Sequence, residues 1–458
     1  MPGTDLVVVS NRGPVSFSLD RGGRPVRAGS AGGLAATLEP LLEGREAAWV
    51  ACAMSDADRK AAAEGVSEAE SIDLYLLQPD PATYRMAYDV VANSTLWFCH
   101  HHMFDLTRRP RLDRHWTEAW DGYRELNREF ATAVSDVAAH GATVLVQDYH
   151  LCLLPRMLAA ARPDLRTVHF THTPFADPNA LRVLPDDAAL ELLEGMSAAS
   201  GCGFHTERWK AAFLACCQDK AVRPPATFVS PLSPDPAHLA RRAASPSYEA
   251  AARRLEEWAG DRKVILSVDR VEPSKNLLRG FWSFDELLHG HPELRERVVM
   301  LSLSYASRQS LPEYLAYATE MEHTADMVND KWGNAGWTPV VLDMADDPYR
   351  SFAALERYDV LLVNSIRDGL NLVAKEGPLL NTSDGVLALS REAGSYEELG
   401  NEALGVNPFD VSGTAEVLAK ALEMEPSERK RRSRALKGIV TSRGPEQWLA
   451  DQIAMALG

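Results

Sequence analysis

The stretch Arg367-Asp368-Gly369-Leu370-Asn371-Leu372-Val373-Ala374-Lys375-Glu376 has the residue types needed to hold a phosphorylated ligand. It follows Tyr358-Asp359-Val360-Leu361-Leu362-Val363, which reads as a buried strand. A strand that feeds a glycine-containing turn and then a helix presents free backbone N–H groups to an anion. Asp368 sits at the turn, where it can accept hydrogen bonds from a polyol. Glu376 falls five residues past Asn371, about one and a half turns into the helix and within reach of a ribose. A second element fits the first. Arg270-Val271-Glu272-Pro273-Ser274-Lys275 follows another apolar run, Val264-Ile265-Leu266-Ser267-Val268. Two cations at a strand's carboxyl end, together with a helix N-terminus, make a cradle for a diphosphate.

Weaker signals lie earlier in the chain. Ser10-Asn11-Arg12 closes the first strand pattern, and Ser30-Ala31-Gly32-Gly33-Leu34 opens the helix after it. Glycines there would let backbone approach a phosphate, although a bare Gly-Gly pair is usually only a turn. Gln147-Asp148-Tyr149-His150 and Thr171-His172-Thr173-Pro174-Phe175 end successive strand patterns. Polar residues at the carboxyl ends of parallel strands point into a ligand crevice, so Asp148 and His172 are site candidates. Tyr88 and Trp97 flank Asn93-Ser94, and such aromatics are more often core than ligand platforms. Arg308 either clamps a phosphate or pairs with a surface acid. His100-His101-His102 is no metal site, because consecutive residues do not share one face of a helix or strand. There is no nucleophile elbow, phosphate-binding P-loop or zinc-protease helix motif.

The elements that would position these residues alternate along the whole chain. Strand patterns at 6–10, 48–53, 143–147, 167–171, 203–205 and 227–230 are separated by helical stretches, as are those at 264–268, 298–303, 340–343, 360–364, 386–389 and 404–406. Continuous apolar strands between helices imply parallel sheets covered on both faces, and two such series imply two doubly wound domains. The three prolines at 231–236 mark the boundary. We expect an α/β chain with residues 1–233 as an N-terminal Rossmann-like domain and 234–440 as a C-terminal one, and a last helix in 441–458 packing back on the first. A helix over 248–259 is expected with Ser247 as its cap, and the charged segment 427–437 as a solvated helix face.

The chain has 458 residues, 46% of them apolar, and a net charge of −16. That balance suits a soluble globular protein and argues against a general nucleic-acid binder, whose footprint would be basic. The six cysteines show no zinc spacing and no disulfide framework. No charged n-region or cleavage site is read before the first strand pattern, so no leader is expected, and no apolar run is long enough to span a bilayer. A reduced, cytoplasmic protein acting on small molecules is expected, with no membrane partner. A homo-oligomer is compatible with the sequence.

Taken together, these residues resemble the trehalose-6-phosphate synthases, retaining GT-B glycosyltransferases of family 20. The resemblance runs over nearly the whole chain. It includes Ser10-Asn11-Arg12, Ser30–Leu34, Tyr88 with Trp97, Asp148-Tyr149-His150-Leu151, His172-Thr173-Pro174-Phe175, Gly203-Phe204-His205-Thr206-Glu207, Arg270 with Lys275, Ser307-Arg308, Gly336-Trp337-Thr338-Pro339, Arg367–Glu376 and Asn407-Pro408-Phe409-Asp410. It implies two Rossmann-like domains facing each other across a cleft. It also implies transfer of glucose from UDP- or GDP-glucose to glucose 6-phosphate. In this reading Arg270 and Lys275 bind the donor diphosphate, helped by backbone at Gly32, Gly33, Asn371, Leu372 and Val373, and Glu376 holds the ribose. His172 and Asp368 contact the donor glucose. Arg12, Tyr88, Trp97 and Arg308 hold the acceptor phosphate, and Asp148 the acceptor sugar. No cofactor and no metal is required. The chain departs from the family pattern at Glu272-Pro273, where Asp-Tyr is usual, at Asn276, where Gly is usual, and at Tyr305-Ala306, where Pro-Thr is usual. The Pro-x-Lys-Asn form also resembles pseudoglycosyltransferases, which couple a nucleotide-activated cyclitol to a phosphorylated amino-cyclitol. A catalytically silent homologue that binds sugar phosphate is the rival from another class.

Overall fold

The computed structural model describes residues 3–30, 33–65, 72–243, 246–308 and 310–458. The chain forms two compact units, one of Met1–Pro231 with Pro445–Gly458 and one of Leu232–Gly444.

The strands of the first unit are β1 Thr4–Arg12, β2 Val15–Leu19, β3 Pro25–Ser30, β4 Ala47–Cys52, β5 Ile72–Leu77, β6 Ala138–Gln147, β7 Arg166–Thr171, β8 Gly201–Phe204 and β9 Ala226–Val229. Seven of them form a sheet in the order β5-β4-β1-β6-β7-β8-β9. All its pairings are parallel. Val7, Val8, Val9, Val144, Leu145 and Val146 are fully buried, because helices cover the central strands on both faces. β2 and β3 form a separate antiparallel hairpin. Neither the hairpin nor β5 was expected. In β5 only Ile72 is buried and the rest are exposed or half-exposed, so it lacks the double-sided burial that marks the central strands. The helix Pro445–Leu457 belongs to this unit. Its Trp448 is fully buried, 5.2 Å from the Phe170 ring on β7, and its Asp451 accepts a 2.9 Å bond from Ser230.

The second unit has β10 Lys263–Arg270, β11 Val298–Tyr305, β12 Val340–Asp343, β13 Val360–Val363, β14 Val386–Ser390 and β15 Leu404–Val406. They form a sheet in the order β12-β11-β10-β13-β14-β15, again parallel throughout. The helix Pro246–Ala259 begins before Ser247, so Ser247 lies inside it rather than capping it. Residues 427–437 fall within helix Pro426–Thr441, where Arg429 turns inward and reaches the Asp384 carbonyl at 3.1 Å.

Each sheet reverses its winding once, between β1 and β6 in the first and between β10 and β13 in the second. At such a switch point the loops leave to opposite sides and open a crevice outside the carboxyl ends. In the second unit the two loops are stitched together. Asn276 donates to the Asn364 carbonyl at 3.0 Å, and the Ile366 amide donates to the Ser274 carbonyl at 2.8 Å. The turn at Asp368 is further tied to the loop after β14, where the Gly394 amide donates to the Asp368 carbonyl at 3.1 Å. A Cβ on Gly394 would lie 2.1 Å from the Gly369 carbonyl oxygen. Gly394→Ala should therefore lower stability by about 1–3 kcal/mol, as overpacking does. A denaturant midpoint equal to that of the unmodified protein would contradict the close approach.

Candidate active site

In the second unit the loops after β10, β11 and β13 converge on a constellation of charges. Lys275 leaves the turn after β10 with its side chain only 11% exposed. Its Nζ lies 2.6 Å from Asp368 and 3.3 Å from Asp269. Burial pushes the Asp269 carboxyl up to about 6, against the pull of Lys275 and with the charge of Asp368 adding to the rise. Burial disfavours the Lys275 ammonium, but the two carboxylates outweigh it and raise its pKa, so it stays cationic. Asp368 Oδ2 also accepts from Ser365 Oγ at 3.2 Å and Asn371 Nδ2 at 3.1 Å.

Arg270 and Arg308 share one partner. Glu272 Oε1 lies 3.2 Å from Arg270 and 3.1 Å from Arg308. Burial alone would raise the Glu272 carboxyl, but the two guanidinium groups hold it down at about 2. Arg270 and Tyr305 are register partners on β10 and β11. That places the departure at Tyr305-Ala306 beside the cation.

Three residues here have left-handed backbones: Asn276 with φ 60°, Arg308 with φ 43° and Asn371 with φ 76°. Asn276 takes at low cost the conformation for which glycine is usual in the family, because asparagine tolerates it best after glycine. The positive φ of Asn371 delays the following helix, which runs Val373–Leu380. Glu376 therefore lies in its first turn, not one and a half turns along as expected. Asn371 Oδ1 accepts the Ala374 amide at 3.1 Å. The amides of Leu372 and Val373 precede the helix's own hydrogen-bond ladder and are of the kind that receive anions.

Sequence reasoning missed Asp269, Glu272 and Lys375 as parts of this site. Lys375 is fully buried, 2.6 Å from Glu398 and 2.8 Å from the Leu232 carbonyl. Burial pulls its ammonium pKa down, against the attraction of Glu398. Its position next to Glu376 was the only available signal.

In the first unit Asp148 follows β6 with φ 71°. Its amide donates to the Phe170 carbonyl at 2.7 Å, and its Oδ1 accepts the His172 amide at 3.2 Å. Gln147 Nε2 donates to Gln452 Oε1 at 3.1 Å, which turns the Gln147 oxygen towards His172 Nε2 at 2.9 Å. His172 Nε2 therefore carries the proton, and Nδ1 faces His205 Nε2 at 3.1 Å. Burial, with His169 alongside, lowers the His172 pKa to about 3. The ring stays neutral at ordinary pH, with both of its nitrogens engaged within the protein.

Arg12 ends β1, exposed. Tyr88 lies in a wide, π-type helix, Met86–Leu96, with its ring stacked 5.3 Å from Tyr84 and 5.7 Å from His150. Trp97 is 2% exposed and stacks on His101 at 4.1 Å. It is a core residue here, the commoner role for a large aromatic. Gly33 opens the helix Gly33–Leu42, while Gly32 lies outside the described residues. Arg308 belongs to the second unit and Arg12, Tyr88 and Trp97 to the first. Among the described residues, His291, Glu293 and Glu423 could together approach a cation. They are near the amino end of β11, away from the carboxyl ends that carry the constellation.

This geometry agrees with what the chain is similar to. The model of glycosyltransferase family 20 matches residues 4–456. A trehalose-6-phosphate synthase of Mycobacterium sp. (strain JLS) is 33% identical, with 97% of this chain and 94% of the relative covered. The OtsA trehalose-6-phosphate synthase structure superposes with a TM-score of 0.87 at 28% identity, covering 99% of each chain. A UDP-forming alpha,alpha-trehalose-phosphate synthase from Burkholderia xenovorans, in complex with glucose-6-phosphate, gives 0.87 at 26% identity over 99% of this chain and 100% of the other. With two Rossmann-like units of the GT-B type and a family match from end to end, the chain belongs to glycosyltransferase family 20.

Proposed function

We propose that this glycosyltransferase makes alpha,alpha-trehalose 6-phosphate from UDP-glucose and glucose 6-phosphate, with retention at the anomeric carbon. One observation carries the proposal: a buried Lys275, clamped by Asp269 and Asp368, stands beside Arg270 at the carboxyl ends of the switch-point strands. The leaving nucleotide gains negative charge as the anomeric bond breaks. Fixed cations stabilise that charge most where it develops, and they need not reorganise to do so. Arg270 and Lys275 would take the diphosphate, with the amides of Leu372 and Val373 and backbone at Gly32 and Gly33 sharing the load. Glu376, in the first helical turn, would hold the ribose. Asp368 would orient hydroxyls of the donor glucose, and His172 would contact the sugar with a neutral ring whose two nitrogens the protein already holds.

The acceptor hydroxyl would give its proton to the departing phosphate oxygen on the same face, so no enzymic nucleophile is assigned. We assign no metal, because the two cations do the neutralising. Arg12, Tyr88 and Arg308 would hold the acceptor phosphate and Asp148 its sugar. Trp97 would act by packing within the core against His101. The relatives' names favour glucose transfer over the coupling of a cyclitol, and the UDP-forming relative favours uridine over guanosine. All six cysteines are buried thiols, which suits a reducing compartment such as the cytoplasm. Among the described residues no helix is long and apolar enough to cross a membrane.

The test is nucleotide release from UDP-glucose and from GDP-glucose, each with and without glucose 6-phosphate, with the sugar product identified. Release from UDP-glucose that depends on the acceptor and yields trehalose 6-phosphate is expected. No release from either donor would overturn the proposal. Lys275→Ala should cost about 3 kcal/mol of transition-state stabilisation, a loss of roughly 100-fold in kcat/KM, in a protein that still folds but melts earlier because Asp269 and Asp368 lose their counter-charge. An unaltered rate would refute the cradle. Arg308→Ala should raise the KM for glucose 6-phosphate by about tenfold, the worth of one charge-assisted contact. A change confined to the donor KM would remove Arg308 from the acceptor.

A further inference from the structure

Glu272 has the environment of a group that is held rather than solvated: it is 1% exposed, yet it lies in the turn immediately after β10. The turn is closed by its own amide on the Arg270 carbonyl at 2.8 Å, which folds Arg270 and Glu272 onto each other. The Val271 amide donates to the Tyr305 carbonyl at 2.9 Å, so the loop after β11 is carried alongside. One carboxylate oxygen then accepts hydrogen bonds from Arg308 at 3.1 Å and Ser307 Oγ at 2.9 Å and forms an ion pair with Arg270 at 3.2 Å. Arg308 is held further by Tyr314, whose hydroxyl lies 2.6 Å from the same guanidinium nitrogen. Arg308 keeps a left-handed backbone at φ 43° to stay there. Such strain persists only where the surroundings over-determine it.

We infer that Glu272 is a positioning residue that sets the reach and spacing of Arg270 and Arg308, so that the phosphates of two different substrates are gripped in register with each other. The two guanidinium groups repel each other, and the carboxylate between them cancels one charge and fixes both forks. It touches neither substrate and acts only through the arginines. This deepens the glucosyl-transfer reading and rests on it for the identity of the two anions.

The measurement is steady-state kinetics of the full chain with Glu272→Gln and Glu272→Asp, varying UDP-glucose and glucose 6-phosphate separately, together with thermal melting. Removing the negative charge without changing shape gives two opposed expectations. If Glu272 merely damps positive charge, anions should bind more tightly and both KM values should fall. If it positions the arginines, both should rise, by roughly tenfold each, the worth of one hydrogen bond to a charged group, whether or not the melting midpoint falls. The shorter Glu272→Asp, which keeps the charge, should recover part of both. Falling KM values, movement of only one of them, or unmoved values with a lowered midpoint would each overturn the inference. Should Glu272→Gln fail to fold, Glu272→Asp still decides, by a smaller rise in both. A parent protein with no acceptor-dependent release sinks the glucosyl-transfer reading and the inference with it, whereas an active parent with unmoved values in the variants sinks the inference alone.

Discussion

Everything in the second unit is arranged around keeping a cation dry. Lys275 can remain charged at 11% exposure only because two carboxylates flank it. Asp269 comes from the end of β10 itself and Asp368 from the loop after β13. Removing either would leave charge buried without its partner, a costly state. The two loops must therefore be held together, and the bonds from Asn276 to Asn364 and from Ile366 to Ser274 do so independently of the charges. An ion pair of this kind is a poor route to stability, since desolvation offsets most of the attraction. It is better understood as a preformed charge that a leaving phosphate can meet without solvent reorganising.

The backbone bears a related cost. Asp148, Asn276, Arg308 and Asn371 all have positive φ. For Asp148 and Arg308 the cost is on the order of 1–3 kcal/mol each, and all four lie at carboxyl ends of sheet strands where site residues gather. Two are asparagines, the non-glycine residue that tolerates the left-handed region best, and one of them stands where glycine is usual. The strain at Asn371 delays the next helix and leaves the amides before it for an anion. The strain at Asp148 turns its carboxylate onto the His172 amide.

The first unit solves a different problem, that of a neutral imidazole with one defined tautomer. The order of bonds runs from Gln452 through Gln147 to His172 and on to His205. The terminal helix thus sets the proton position on a ring at the opposite end of the sequence's logic, and truncating that helix would release the orientation of Gln147. A buried polar chain of this type has value only when every member is satisfied.

Much of this was legible in the residues alone. Central parallel strands are buried on both faces, so they appear as unbroken apolar runs, and the cations and carboxylates after them stand out by contrast. That is why Arg270, Lys275, Asp148, His172 and Asp368 could be named before any coordinates, and why the half-exposed β5 and the β2–β3 hairpin could not. Tertiary structure decided what each charge is for. Glu272 and Arg308 are 36 residues apart, Lys275 and Asp368 are 93 apart, and Gln147 and Gln452 are 305 apart. No local spacing rule relates residues at such distances. They meet because β10 lies between β11 and β13 in the sheet, and because the last helix belongs to the first unit. Residue types and strand ends are local properties that a sequence carries openly; which carboxylate faces which cation depends on strand order, which exists only once the sheet has formed.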